Sequence, residues 1–129
     1  MPVSFHELPG LSATVDQVSY EPGIAAPPER PLPFVYYLSI HNDADEPVTI
    51  LGRKWIVTDD TGGTLVVEGD GVVGQFPRIE PGGKFSYNSY HVIRDASTAT
   101  GTFFGQTDGG APILVRVPEF RLEPPDTDY

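Results

Sequence analysis

The chain has 129 residues, no cysteine, and 18 Asp plus Glu against 8 Lys plus Arg, a formal net charge of −10. The missing cysteine excludes disulfides, thiolate metal sites and a Cys nucleophile together. The negative field opposes non-specific attraction to nucleic acid and anionic membranes, and draws a divalent cation or a basic partner surface, weakly at physiological salt.

No apolar run approaches the ~20 residues of a membrane span, and MPVSFHELPG has neither the basic nor the apolar region of a signal peptide. We therefore expect a cytoplasmic protein with no nucleic-acid partner and no membrane insertion. The length fits one domain, which buries roughly two-thirds of the surface its unfolded chain exposes. The 14 glycines and 14 prolines fall just short of the ~25–30% at which low-complexity disorder is the default. They indicate many short strands joined by tight turns.

The first strand is expected over Leu11–Tyr20. Leu11, Ala13 and Val15 share one face, then Val18 and Tyr20 continue in the opposite phase, so a bulge falls near Asp16-Gln17. Glu21–Pro33 holds five prolines in thirteen residues and reads as a long exposed connection or a polyproline-II ligand. Phe34–Asn42 is the clearest strand, with Phe34, Tyr36, Leu38 and Ile40 facing the core. After the polar turn Asn42–Glu46, Pro47–Asp59 runs as a strand with a bulge at Gly52. Asp60–Gly63 turns a hairpin into Thr64–Glu68. Lys84–Ile93 places Phe85, Tyr87 and Val92 inward. Arg94–Thr100 is a polar connection, Gly101–Thr107 a short strand, and Ala111–Val117 the last strand before a fraying tail from Pro118 to Tyr129.

Residues 1–10 are assigned as an N-terminal tail, 11–125 as the domain and 126–129 as a C-terminal tail. The turn spacing and strand count predict an all-β fold, an immunoglobulin- or fibronectin-III-like β-sandwich of about seven or eight antiparallel strands.

Several separated motifs resemble the ApaG family. They are Gly52-Arg53-Lys54-Trp55-Ile56-Val57-Thr58-Asp59, Gly69-Asp70-Gly71-Val72-Val73-Gly74-Gln75-Phe76-Pro77, Ile79-Glu80-Pro81-Gly82-Gly83-Lys84-Phe85-Ser86-Tyr87 and Val117-Pro118-Glu119-Phe120-Arg121-Leu122-Glu123-Pro124-Pro125. The resemblance covers Leu11 to Pro125 and implies the same sandwich. It also implies a family with no settled enzymatic activity. Its bacterial members are linked genetically to cobalt tolerance and magnesium efflux, and its eukaryotic members serve as modules in F-box and DNA-polymerase-interacting proteins. The chain departs from the family pattern at Lys54, usually histidine, at Tyr90-His91, usually Gly-Cys, and at Gly105–Asp108, where it turns early.

The spacing Gly69, Gly71, Gly74 matches a dinucleotide fingerprint, which requires a helix after the loop. Pro77, Pro81 and Gly82-Gly83 exclude that helix. Two readings remain. The glycines supply positive φ or close backbone approach, or the loop forms a backbone nest for a small anion such as pyrophosphate, assisted by Arg53, Lys54 or Arg78. His41, Asp43, Asp45 and Glu46 lie close in sequence but match no ligand spacing, so no metal site or cofactor is assigned. Divalent-cation binding is carried as a further alternative. Ser86, Ser89 and His91 fit no triad framework, so no catalytic residue is named. The leading expectation is a non-catalytic protein-interaction module, with a link to cation homeostasis through a partner. Sheet edges can pair with a protein partner or with a second copy as a homodimer. Trp55 is either a core residue or, beside Arg53 and Tyr90, part of an interaction surface.

Overall fold

A computed structural model describes residues 4–125, and they form a two-sheet β-sandwich with no helix. The larger sheet runs β1 (His6–Glu7), β9 (Pro112–Leu122), β8 (Ser97–Thr107), β4 (Val48–Asp59), β5 (Thr64–Asp70), with β6 (Arg78–Ile79) also on β4. The smaller runs β2 (Leu11–Tyr20), β3 (Leu32–Asn42), β7 (Gly83–Ile93). Pairing is antiparallel except between β1 and β9. Among the described residues no helix is long and apolar enough to cross a membrane.

Alternation builds the core. Phe34, Tyr36, Leu38 and Ile40 of β3 are buried, as expected, and face Ile50, Trp55 and Val57 of β4 with Phe103 of β8. Both expected bulges are present. The β2–β3 register shifts between Val15 and Gln17, so Asp16 is the extra residue. The β4–β8 register shifts between Ile50 and Gly52, which leaves Leu51 unpaired and exposed. Each bulge lets one strand switch the phase of its inward face.

Four expectations need correction. Residues 6–7, assigned to the N-terminal tail, pair with Ile113 and Leu114 as β1, and Phe5 packs edge-on against Phe104. Ser97–Thr100, taken as connection, opens β8, with Ser97 and Ala99 buried. The last strand does not stop at Val117. It bulges where Pro118 and Glu119 oppose the single Thr100, then continues to a fully buried Leu122. The remainder of the expected fraying tail, 126–129, lies outside the described residues. In β7 strict alternation holds through to Ile93, so His91 and Ile93 are buried and Val92 belongs to the opposite face.

Trp55 packs directly on Gly101, its cross-strand neighbour on β8. A Cβ at Gly101 would lie 2.6 Å from the indole ring, a separation no side chain tolerates. Gly101→Ala is therefore expected to overpack the core and destabilise the fold by about 1–3 kcal/mol, read as a lower urea midpoint at unchanged m-value. An unchanged midpoint would show that the indole has room to move.

Candidate functional site

The glycine-spaced loop closes on itself. Val72 and Gln75 exchange both backbone hydrogen bonds, 2.8 and 2.9 Å, around Val73 at φ 44° and Gly74 at φ 78°. Two successive positive φ values make a primed turn. The Gly71 N–H donates to the Leu51 carbonyl at 2.7 Å, and a Cβ on Gly71 would meet the Gln75 oxygen at 2.4 Å. Val72 is fully buried and plugs the core.

Arg53 reaches the same loop from β4, across the bare backbone of Gly69, and donates to the carbonyls of Asp70 at 2.9 Å and Gly71 at 3.2 Å. The anion nest needs free converging N–H groups. Here the N–H groups of Gly71, Val72 and Gln75 are bonded to carbonyls, and the nearby guanidinium is bonded to carbonyls too. Arg78 is held elsewhere, on β6, by Glu80 and Asp108. Lys54 pairs with Glu68 at 3.3 Å. The expected helpers are thus not brought together, and this loop is built to hold itself closed.

Trp55 is not available at the surface: it is 2% exposed. It sits in an aromatic cluster with Tyr36 at 5.1 Å, His91 at 5.1 Å, Phe120 at 5.8 Å and Phe103 at 6.5 Å. Tyr90 is 56% exposed, on the outer face of the smaller sheet, so Arg53, Trp55 and Tyr90 form no common patch. Sequence reasoning placed Tyr36 and Tyr87 inward but missed His91. His91 stacks on Tyr36 at 4.7 Å, and neither its Nε2 nor the Tyr87 hydroxyl has a protein partner. Burial holds the His91 imidazole down to about 4 and raises the phenols of Tyr87 and Tyr36. Unbroken alternation along β7 is the signal that finds His91.

Among the described residues no three or more His, Asp or Glu side chains are placed to hold a metal ion. His41 Nε2 lies 3.0 Å from the Thr14 hydroxyl. Ser86 shares a 2.7 Å hydrogen bond with Ser39, whose hydroxyl donates to Asp16 and holds that carboxyl below its usual range.

Two surface features remain. The first is β7 itself, eleven residues long, paired with β3 on one side only. Its register against β3 is unbroken from Leu32↔Ile93 to Asn42↔Gly83, and it carries no Asp, Glu, Lys or Arg from Phe85 to Ile93. The second is a 330 Å³ cavity at the end of the sandwich, between the β2–β3 connection, the β4–β5 hairpin and the end of β7.

The ApaG domain model matches residues 25–107, which include β3 to β8 and the glycine loop. This chain belongs to the ApaG family. It is 34% identical over 107 residues to Protein ApaG of Acidithiobacillus ferrooxidans, covering 82% of this chain and 84% of that protein. It is 33% identical over 121 residues to Protein ApaG of Maricaulis maris, covering 93% and 92%. The crystal structure of the ApaA protein of Bordetella pertussis superposes with a TM-score of 0.81 at 32% identity, over 98% of this chain and all of that one. The sandwich is thus shared by an ApaG-family relative across nearly its full length.

Two measurements test this part of the ApaG fold. Neutral His91 is favoured in the folded state, with a pKa near 4 against ~6.5 unfolded. Between those values the unfolded chain binds a proton that the folded chain refuses. Stability therefore falls as pH drops from about 6.5 to about 4, by up to ~1.4 kcal/mol per unit and roughly 3 kcal/mol in all, then levels with respect to this group. His91→Phe should flatten that limb in pH-dependent urea melts, and a wild-type limb retained in the variant would refute the assignment. Val73 is the one described non-glycine residue at positive φ, and it is β-branched, where the left-handed conformation costs most. Val73→Gly is expected to raise stability by about 1 kcal/mol, and a loss would mean that Val73 is held by packing instead.

Proposed function

We propose that this ApaG-family chain is a non-catalytic protein-interaction module that receives an extended, basic partner segment along the free edge of β7. One observation carries the reading: from Phe85 to Ile93, β7 has no charged side chain, proline or bulge of the kind that normally blunts a sheet edge. The other edges have them. β1 is two residues long, β5 carries Glu68 and Asp70, and β2 is bulged at Asp16. β7 is long, flat and free of charged side chains beyond Lys84. Added strands gain affinity from backbone hydrogen bonds and specificity from alternate side chains. Tyr90 at 56% and Tyr37 at 39% exposure lie diagonally across β7 and β3 on the outer face and supply aromatic anchors. The net charge of −10 favours a basic partner over a second acidic copy.

The non-catalytic part is supported by the side chains themselves. Ser86 is hydrogen-bonded to Ser39, while His91 is buried in the aromatic cluster and reaches no serine hydroxyl. The link to cobalt and magnesium handling that the family resemblance implies would then run through the partner.

The test compares the wild type with Asn88→Lys/Tyr90→Lys, which charges two exposed outer-face positions of β7. Capture from a native lysate at low salt should recover a basic protein with the wild type and lose it with the variant, at equal melting temperature. Equal capture by both would overturn the edge reading, and hydrolysis of nucleotide or peptide by the pure protein would overturn the non-catalytic one. A concentration-dependent dimer by light scattering, abolished in the variant, would replace the basic partner with a second copy.

A further inference from the structure

The cavity at the end of the sandwich has an apolar floor and a charged rim. Val57 of β4, Leu65 of β5, and Val92 and Ile93 of β7 line it, and its 330 Å³ falls within the range of small-ligand sites. The rim is set by Arg30, Glu29, Asp59 and Arg94. Gly63 shapes the wall between them, since a Cβ there would lie 2.6 Å from Asp59 Oδ2 and 3.0 Å from the Arg94 guanidinium.

The hydrogen-bonding capacity of this rim is unequally spent. Asp59 is saturated: its Oδ1 accepts from the Thr61 N–H at 3.0 Å, the Thr61 hydroxyl at 2.6 Å and the Gly63 N–H at 2.9 Å, and its Oδ2 accepts from Arg94 at 2.9 Å. Those bonds, the Thr61 hydroxyl foremost, hold its carboxyl down to about 2. Ser97 is turned away and donates to the Asp95 carbonyl at 2.7 Å. Arg94 is fixed by Asp59 and Thr61. Arg30 is different. It is half-buried and makes no ion pair among the described residues, in a chain where acids outnumber bases by 18 to 8. Five of the eight cationic side chains are ion-paired, and Arg53 is bonded to carbonyls. A partly desolvated guanidinium beside an apolar floor asks for a planar, singly charged acceptor on an aliphatic body. Glu29 and Asp59 on the same rim repel a polyanion.

We infer that this cavity is a binding site for an aliphatic monocarboxylate, its branched tail on Val57, Leu65 and Ile93 and its carboxylate on Arg30. The chemistry is common to a free branched-chain acid and to the C-terminal residue of a peptide. The site is separate from the bare middle of β7, so the Asn88→Lys/Tyr90→Lys variant keeps it whether or not the edge reading holds.

The test is a methyl-resolved NMR titration of the full chain with 4-methylpentanoate at millimolar concentration. The methyl resonances of Val57, Leu65 and Ile93 should shift together. The matching alcohol, 4-methylpentan-1-ol, should bind at least ~10-fold more weakly, because it forgoes a charge-assisted pair. Inorganic phosphate should leave these resonances unmoved. Arg30→Gln, on the β2–β3 connection, should weaken the acid by about 10-fold at unchanged stability. A peptide ending in free leucine and its C-terminal amide separate the sources: tighter binding of the free-ended peptide than of the small acid assigns a chain terminus, and the reverse order a metabolite-sized acid. No shift with either acid or peptide, equal binding of the alcohol, a phosphate response at the same methyls, or an unchanged affinity in Arg30→Gln would each overturn the proposal.

Discussion

The packing of one indole against one glycine holds the two sheets in place. Trp55 projects inward from β4, and the position beside it on β8 is Gly101, with no side chain to contest the space. The ring therefore lies flat on the backbone of its own sheet and reaches past it to Phe120 on β9. Its other face meets Tyr36 of β3 and His91 of β7. A single side chain on β4 thus touches four other strands across both layers. Burying an aromatic of this size removes ~150–250 Å² from water, worth roughly 4–6 kcal/mol at 25 cal/mol per Å². That is a large share of the ~5–15 kcal/mol that ordinarily separates folded from unfolded domains.

This constraint explains which parts of the fold the sequence displays and which it hides. Strands whose inner residues are large announce themselves, as Phe34, Tyr36, Leu38 and Ile40 do. The opening of β8 does not, because its inner positions are Ser97, Ala99 and Gly101, the last bare against Trp55, while Thr98, Thr100 and Thr102 face out. A run of small and polar residues reads as connection although it lies in the middle of a sheet. Pro118 hides the end of β9 for another reason. Proline argues against a strand interior, but here it sits in a bulge. The bulges at Asp16 and Leu51-Gly52 were visible because a slip of one residue reverses which side chains are apolar. His91 was hidden by its polarity, since Val92 is the more apolar neighbour, yet the pleat admits only one phase.

The glycine loop was the least readable candidate for function because three glycines at that spacing have several physical causes. Gly69 clears a path for Arg53, Gly71 lets Gln75 approach, and Gly74 completes a primed turn. None of these needs a phosphate. A fingerprint records where side chains are absent, and only the direction of the freed N–H groups distinguishes a cradle from a clasp. Here those of Gly71, Val72 and Gln75 point to carbonyls of the chain itself.

The proposed recognition would draw on β7. Its inner face supplies His91 and Tyr87 to the aromatic cluster, its outer face carries Tyr90, its free edge is bare, and its last residues wall the cavity beside Arg30. A strand bonded to one neighbour only is held in position by its inward side chains rather than by a ladder on both sides. Two of the inward groups on β7, the Tyr87 hydroxyl and His91 Nε2, are buried without a hydrogen-bond partner, and each such group costs about 1–3 kcal/mol. The strand with the bare edge is therefore also anchored by contacts that leave two buried polar groups unsatisfied. Any segment that adds to the free edge supplies the second ladder that β7 lacks, and so stiffens the strand that also forms one wall of the cavity.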